Sequence, residues 1–142
     1  MRLRLTRPTD AALVGAFLEG SPDSVVRHFT YYDLHERLMM AATTFVAGSE
    51  QIVGLADVAF LGGGLAEIGV VVQDDARGQG VGTLLMDAIT AAAGQRGVTR
   101  LRGELPLLPL LERLGRTVRT VEDGRAVAYT RLSRAPRRRS AA

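Results

Sequence analysis

Hydrophobic and polar positions follow two different periods in the first part of the chain. Residues Arg2–Thr6 alternate between polar and apolar, which predicts a strand. After Pro8 the apolar residues recur every three or four positions, which predicts three helices over about 10–20, 21–29 and 33–42. The first two helices also carry start signals, namely a capping side chain before the first and a proline at the opening of the second.

From Thr43 the period changes to two. Thr43–Ala47 and Ile52–Leu61 are predicted strands joined by a polar turn, and a triplet of glycines then leads into a strand over Leu65–Val72. The end of that strand, Val70–Val72, is apolar on both faces, as is typical of a central strand. The middle of the chain therefore predicts an antiparallel meander rather than alternating strands and helices.

The last part of the chain returns to mixed elements. The predicted elements are, in order, a helix over Thr83–Arg96, a strand over Val98–Leu105, a leucine-rich helix over Pro106–Leu114, and strands over Thr117–Glu122 and Arg125–Leu132. Asp123-Gly124 is a strong signal for a tight hairpin turn. Together these elements predict one α+β (mixed α/β) domain over residues 1–132, with a mostly antiparallel twisted sheet of about seven strands and about five helices.

Composition excludes several kinds of chemistry. The 142 residues are 46% hydrophobic and include no cysteine, so disulfides, thiolate catalysis and cysteine-bound zinc are excluded. Two histidines, His28 and His35, do not form a metal motif, and no metal is predicted. No apolar run reaches the ~20 residues that cross a bilayer, and the N-terminus does not resemble a signal peptide. We therefore expect a cytoplasmic protein without a membrane partner.

The positive charge is concentrated at the C-terminus. The formal net charge is +3, and all eighteen basic residues are arginine. Five arginines lie in the last twelve residues, whereas residues 1–130 hold thirteen arginines against fifteen acids. Residues 133–142 are therefore predicted to form an arginine-rich, disordered tail. The tail could contact nucleic acid or an acidic partner, but the core lacks interleaved aromatic residues, which argues against a nucleic-acid-binding protein.

A glycine-rich loop lies between the buried strand ending at Val72 and the helix near Thr83. In Arg77–Gly82 every second residue is glycine, so a ligand could approach the main chain closely. Free amides and a helix N-terminus favour phosphate, and Arg77 could add a charge-assisted bond. A Walker loop is excluded because the chain has no lysine, and the spacing fits a dinucleotide fingerprint poorly. A glycine turn without a ligand stays open as an alternative at this point.

The stretch Ala66–Leu85 resembles the cofactor motif of the GNAT superfamily of N-acetyltransferases. The family pattern Q/R-x-x-G-x-G/A is filled by Arg77, Gly80 and Gly82, and the order of elements is similar up to about Leu132. The resemblance implies a GNAT-like sheet and acetyl-CoA as co-substrate. It further implies that main-chain amides hold the pyrophosphate and that a strand end pairs with the pantetheine arm. The implied cofactor-binding residues are Val70, Val71, Val72, Arg77, Gly78, Gln79, Gly80, Val81, Gly82 and Thr83.

Acetyl transfer to an amine needs a base, because an amine with a pKa of about 10.4 is mostly protonated at neutral pH. Glu67 is the candidate, since it stands in an otherwise apolar strand and matches the position of the glutamate that many family members use. The alternative is that Glu67 lies on a solvated face or pairs with an arginine. Glu104 is the second candidate, whereas Asp74 and Asp75 are interpreted as solvated loop residues.

One feature of the family pattern is missing. The helix over Pro106–Leu114 has neither the asparagine nor the tyrosine that many members use there, and Tyr129 lies on the last strand. The general acid for the leaving thiolate is therefore in doubt, but cofactor binding is not. The layout around Arg7–Asp10, Ser21–Ser24, Ala66-Glu67 and Leu105–Gly115 resembles the acetyltransferase domain of bacterial protein-lysine acetyltransferases.

Several functional alternatives stay open from the sequence. The acceptor could be a small-molecule amine or a protein lysine. The chain could instead be a non-catalytic acyl-CoA sensor, or a module that binds a partner through its leucine-rich helix or its arginine tail. Family members are often homodimers, but nothing in the sequence determines the oligomeric state.

Overall fold

The computed structural model describes residues 1–73, 78 and 80–132. The predicted tail, residues 133–142, lies outside the described residues. The strands are β1 (Arg2–Leu5), β2 (Arg37–Val46), β3 (Ser49–Gly62), β4 (Leu65–Val72), β5 (Arg100–Glu104), β6 (Gly115–Glu122) and β7 (Arg125–Leu132). The α-helices are α1 (Ala11–Phe17), α2 (Asp23–Thr30), α3 (Val81–Gly94) and α4 (Leu108–Leu114), and short 3₁₀ turns precede α1 and α4.

The seven strands form one sheet in the order β1-β2-β3-β4-β5-β7-β6. Every neighbouring pair is antiparallel except β4 and β5, which are parallel. The turn at Asp123-Gly124 has φ angles of 51° and 77°, as a type I′ hairpin requires. The predicted α+β class, the seven strands and the mostly antiparallel sheet are confirmed, although the described residues contain four α-helices rather than five.

The prediction of a third helix over residues 33–42 is wrong. Leu34, Leu38 and Ala41 have helical spacing, but the chain enters strand β2 at Arg37. This strand lies between β1 and β3, and six consecutive residues, 38–43, are buried. A strand covered on both faces loses its alternation, and Leu, Met and Ala favour helices in isolation. Pairing with strands on both sides therefore overrides the local preference.

Helices pack on both faces of the sheet. On one face α3 and α4 cover the main core, whose buried residues include Leu38, Val58, Ile68, Leu85, Ile89 and Leu111. On the other face α1 and α2 cover a smaller core of Val14, Ala41, Ile52 and Leu55. That second layer leaves part of β4 open, because Glu67 and Val71 on the same face stay exposed. We call this uncovered part of the sheet, with Glu67 and Val71, the open face. It lies next to the pair β4 and β5, the only parallel pair among the described elements.

Gly54 on β3 sets how closely α3 approaches the sheet. A Cβ atom at this position would lie 2.7 Å from Leu85 Cδ1 and 3.1 Å from Val81 Cγ1. The first turn of α3 therefore lies directly on the glycine. This contact brings the N-terminus of α3 next to the end of β4.

We expect Gly54→Ala to destabilise the protein by about 1–3 kcal/mol, because the added methyl group overpacks the contact between β3 and α3. Urea unfolding measures the change. Gly94→Ala at the other end of α3 is the matched control, since nothing lies within 4 Å of its added Cβ. The control should be neutral or slightly stabilising, and equal losses in both variants would contradict this account of the packing.

An ion network joins β1, the turn before α1 and the start of β3. Arg4 donates to both oxygens of Asp10 at 2.7 and 2.8 Å, and to Glu50 Oε1 at 2.9 Å. The main-chain N–H of Arg7 also donates to Asp10 Oδ2 at 2.8 Å. Asp10 is only 3% exposed, and the bonds from Arg4 hold the pKa of this carboxyl below its ordinary value.

We expect Asp10→Asn to cost about 1–3 kcal/mol at neutral pH, because the half-buried guanidinium of Arg4 loses one of its two carboxylate partners and keeps only Glu50. The pKa of Asp10 is lower in the folded state, so the ion pair contributes its full stability only above the unfolded-state pKa of about 3.9. As the pH falls through the lowered pKa, that contribution is lost. Urea unfolding from pH 7 to pH 2 should therefore show the gap between wild type and Asp10→Asn closing in acid, and a constant gap would contradict it.

Candidate functional site

The parallel pairing of β4 with β5 ends early. It consists of three residue pairs, from Leu65–Arg100 to Glu67–Arg102. Strand β4 continues to Val72 and stays paired with β3, whereas β5 continues to Glu104 paired with β7. The two strands therefore separate after Glu67, and a gap opens between them.

Main-chain groups of β4 point into this gap. The N–H of Gln73 donates to the carbonyl of Val53 at 2.9 Å, which makes this pair a hydrogen-bonded one of the antiparallel ladder. Since such pairs alternate with non-bonded ones, Val70 and Val72 direct their N–H and C=O groups away from β3. These groups face the side where β5 has already diverged, so they can pair with an extended ligand.

The N-terminus of α3 lies at the end of β4. The helix begins at Val81, and Leu84 N–H makes the first intrahelical bond, to Gly80 O at 3.0 Å. The amides of Gly82 and Thr83 therefore have no intrahelical partner. Gly80 has a φ of 79°, a value that favours glycine. Gly78, with a φ of 84°, is also suited to glycine alone.

These elements enclose a groove of about 410 Å³. Its lining consists of Val72, Gly78, Gly80, Val81, Gly82, Thr83 and Leu110. Six of the predicted cofactor-binding residues thus lie together, joined by one leucine from α4. Val70 and Val71 lie in β4 just before the groove, and Arg77 and Gln79 lie outside the described residues.

A larger cavity, of about 690 Å³, lies at the opposite end of the sheet. It is lined by the glycine triplet at the end of β3 and by residues just past the C-terminus of α3, including Arg96 and Gly97. Helix C-termini present carbonyl groups and a negative dipole end, which disfavour phosphate. The larger cavity is therefore poorly suited to phosphate, whereas the smaller groove at the α3 N-terminus is chemically suited to it.

Glu67 stands where β4 and β5 separate. It forms the last pair of the parallel ladder, with Arg102, and its side chain is 48% exposed. Arg102 Nη1 donates to Glu67 Oε2 at 3.1 Å. Glu67 thus has an arginine partner, as one of the sequence alternatives stated, and it also lies at the mouth of the gap.

Arg102 continues this contact into a network on the open face. Its guanidinium contacts Glu122 Oε1 at 2.9 and 3.0 Å, and Tyr129 Oη donates to Glu122 Oε2 at 2.6 Å. Tyr129 is remote from Glu67 in sequence but directly opposite Arg102 in the sheet. Its proton is held by Glu122, and this bond raises the pKa of Tyr129. Tyr129 therefore acts as a hydrogen-bond donor within this network and is poorly suited to protonate another group.

A second carboxylate, Asp57 on β3, lies close to this position. It is directly opposite Gly69 of β4, and the two residues share the open face with Glu67. Burial and the charge of Glu67 raise the pKa of Asp57 to about 6, against a smaller lowering by Arg37. The sequence contained a signal for Asp57, since a carboxylate in the apolar run Ile52–Leu61 is as unusual as Glu67 in its strand.

Glu104, the second sequence candidate, lies elsewhere. It ends β5 with an exposed side chain, 3.9 Å from Arg125 Nη1. It lines a separate open groove with Leu105, Pro106 and Arg125. Asp74 and Asp75 lie outside the described residues. The structure therefore brings Glu67 and Asp57 together and leaves Glu104 apart.

Comparison with known proteins identifies the family. The sequence matches the model of the Acetyltransferase (GNAT) family over residues 11–116. The match spans well over half of the chain, so the protein belongs to the GNAT acetyltransferase family. Membership supports acyl transfer from an acyl-CoA co-substrate.

Solved structures share the fold. The GNAT domain of S. lividans PAT superimposes with a TM-score of 0.76 at 24% identity, covering 92% of this chain and 90% of that one. A GNAT acetyltransferase from Staphylococcus aureus Mu50 has a TM-score of 0.72 at 10% identity, over 93% and 99% of the two chains. A putative phosphinothricin N-acetyltransferase has a TM-score of 0.65 at 20% identity, over 94% and 99%. No curated protein matches the sequence.

Across residues 1–73, 78 and 80–132, no three His, Cys, Asp or Glu side chains are grouped so that they could hold a metal ion. In the same part of the chain, no helix combines the length and the apolar character needed to cross a membrane.

Proposed function

We propose that this protein is an N-acetyltransferase that moves an acetyl group from acetyl-CoA to a primary amine. The observation that carries the proposal is the gap beside β4, which joins the groove at the α3 N-terminus to a carboxylate on the open face. These three features supply what the reaction needs: an anchor for phosphate, a track for an extended arm and a proton acceptor.

The proposed anchor consists of main-chain donors. The amides of Gly78–Thr83 and the dipole of α3 favour a diphosphate, and Arg77 would add a positive charge. The main-chain groups of Val70 and Val72 would pair with the pantetheine arm, as in strand addition, while Val71 directs its main chain to β3. Leu110 and Val72 form the apolar walls between these two parts.

The proposed chemistry is direct attack. Acetyl-CoA supplies the activated acyl group, as a thioester. Glu67 accepts a proton from the acceptor ammonium, and the free amine then forms the C–N bond as the C–S bond breaks. The leaving thiolate takes the second proton of the nitrogen, directly or through water, since a thiol has a pKa of about 8.5. A main-chain N–H of β4 that faces the gap can stabilise the oxyanion.

The proposed acceptor is a primary amine, either a small molecule or a protein lysine. The name of the putative phosphinothricin N-acetyltransferase supports transfer to nitrogen on this fold. The exposed position of Glu67 leaves room for an acceptor to approach from the face opposite α3 and α4. The alternative, an acyl-CoA sensor without turnover, would need the groove but not the carboxylate.

We expect Gly82→Leu to weaken coenzyme A binding by about tenfold or more, a loss of about 1.4 kcal/mol, because the side chain would fill the groove. A Cβ at Gly82 lies 3.6 Å from Val72 Cγ2 and 3.7 Å from Leu110 Cδ1, so the backbone tolerates the change and the larger side chain enters the groove. Calorimetric titration with coenzyme A measures the affinity.

Gly94→Leu is the matched control for this test. It makes the same replacement on the same helix, at a position where nothing lies within 4 Å. The control should bind coenzyme A as wild type does. Equal coenzyme A affinities for Gly82→Leu and Gly94→Leu would contradict the assignment of the groove as the coenzyme A site.

We expect Glu67→Gln to lower kcat by about 100-fold with an amine acceptor, because the amide cannot accept the proton. Coenzyme A affinity should stay unchanged, since the glutamate lies outside the groove lining. Turnover of acetyl-CoA is followed by thiol release with a panel of primary amines. Glu112→Gln, an exposed carboxylate on α4, is the control.

The competing outcomes are distinct. A large loss of kcat in Glu104→Gln, with little change in Glu67→Gln, would indicate that the base is Glu104 on β5. Coenzyme A binding without turnover of any amine by the wild type would favour the sensor.

A further inference from the structure

The Asp57 carboxyl group lies across β4 at Gly69. A Cβ atom at Gly69 would be 2.5 Å from Asp57 Oδ1, 3.5 Å from its Cγ and 3.9 Å from Oδ2. The carboxyl group thus occupies the place that a side chain at position 69 would take. Glycine at this position allows Asp57 to reach beyond its own strand.

This reach directs Asp57 toward the gap. Gly69 lies two residues after Glu67, where the parallel pairing with β5 ends. Positions 67 and 69 of a strand face the same side, so both carboxyl groups lie on the open face of β4. In the acetyl transfer proposed above, this is the face from which the acceptor amine would approach.

The surroundings of Asp57 do not explain it as a structural ion pair. Within the described residues, no hydrogen bond or ion pair joins another residue to its carboxyl group. The charges that act on it are Glu67 on β4 and Arg37 on β2, and Glu67 is itself bonded to Arg102 on β5. On the helical layer, His28 of α2 also feels Arg37, and burial together with that charge lowers the pKa of His28.

Among the described residues the carboxyl group of Asp57 is bonded only by its own main chain, and partly buried carboxylates of this kind cost stability and are concentrated at functional sites. Burial and the charge of Glu67 raise the pKa of Asp57 to about 6, so the group is mostly ionised at pH 7 but is a stronger base than an ordinary aspartate. A base with a pKa close to the working pH is well suited to accept a proton.

We propose that Asp57 is a second acid–base residue of this site and shares with Glu67 the proton that the acceptor ammonium loses. The inference rests on the proposed acetyl transfer. One proton leaves the ammonium nitrogen for the carboxylate pair and is then released to water. The free amine forms the C–N bond as the C–S bond breaks, and the leaving thiolate takes the second nitrogen proton, directly or through water. Two carboxylates at one position attract a cation, so the acceptor is a positively charged primary amine.

The test is the pH dependence of kcat/KM for the full chain with acetyl-CoA and a lysine-containing peptide or spermidine. The acidic limb of this profile reports the base of the free enzyme, and the amine itself titrates only near about 10.4. The wild-type limb should lie near pH 6, the pKa of Asp57. Asp57→Asn should lower kcat by about tenfold or more and displace this limb.

Two neighbouring variants give opposite shifts without changing Asp57. Glu67→Gln removes the charge that raises the pKa of Asp57, so the limb of its residual activity should move to lower pH. Arg37→Met removes the charge that lowers it, so the limb should move to higher pH. Arg37→Lys is the matched control and should leave the limb in place.

The inference is overturned if Asp57→Asn keeps both the wild-type limb and a kcat within about twofold of wild type. It is also overturned if Glu67→Gln and Arg37→Met move the limb in the same direction. The opposite shifts decide the question even if Asp57→Asn folds poorly. Failure of the proposed function is a different result, in which the wild type acetylates no amine at all.

Discussion

Strand β4 pairs with β3 along its whole length but with β5 over only three residues. The candidate site depends on this unequal pairing. On one side α3 packs on β3 at Gly54, and on the other α4 packs on β5, where a Cβ at Gly103 would lie 3.0 Å from Leu111 Cδ1. Each helix thus holds a different half of the sheet. The half formed by β5, β7 and β6 separates from β4 after Glu67, so main-chain groups of Val70 and Val72 face a gap instead of β5.

On the open face a single arginine links two carboxylates. Arg102 contacts both Glu67 and Glu122, and Glu122 accepts a bond from Tyr129. These bonds fix the orientation of Glu67 at the mouth of the gap. Asp57 makes no comparable contact among the described residues. Burial, together with the charge of Glu67, raises its pKa. Two carboxylates in one site thus have different environments, which is the usual basis of divided acid–base roles.

Helix α4 contributes an apolar wall in place of the asparagine and tyrosine that many GNAT members carry there. Leu111 is fully buried in the main core, and the next leucine toward the N-terminus, Leu110, lines the groove. Tyr129 does not replace the absent tyrosine, because its proton is held by Glu122. In the proposed reaction the leaving thiolate is therefore protonated by the amine nitrogen or by water.

Local patterns in the sequence determined much of the fold and the glycines of the groove that we propose for phosphate. Alternation of polar and apolar residues predicted β3 and β4, Asp123-Gly124 predicted the hairpin, and the glycines predicted the loop before α3. These features could be predicted because they depend on near neighbours along the chain. Only the tertiary structure decided that residues 37–46 form a strand, that Tyr129 joins Glu122, and that Asp57 covers Gly69. Each of these depends on strand order and register, which bring together residues far apart in sequence and are not encoded in any short segment.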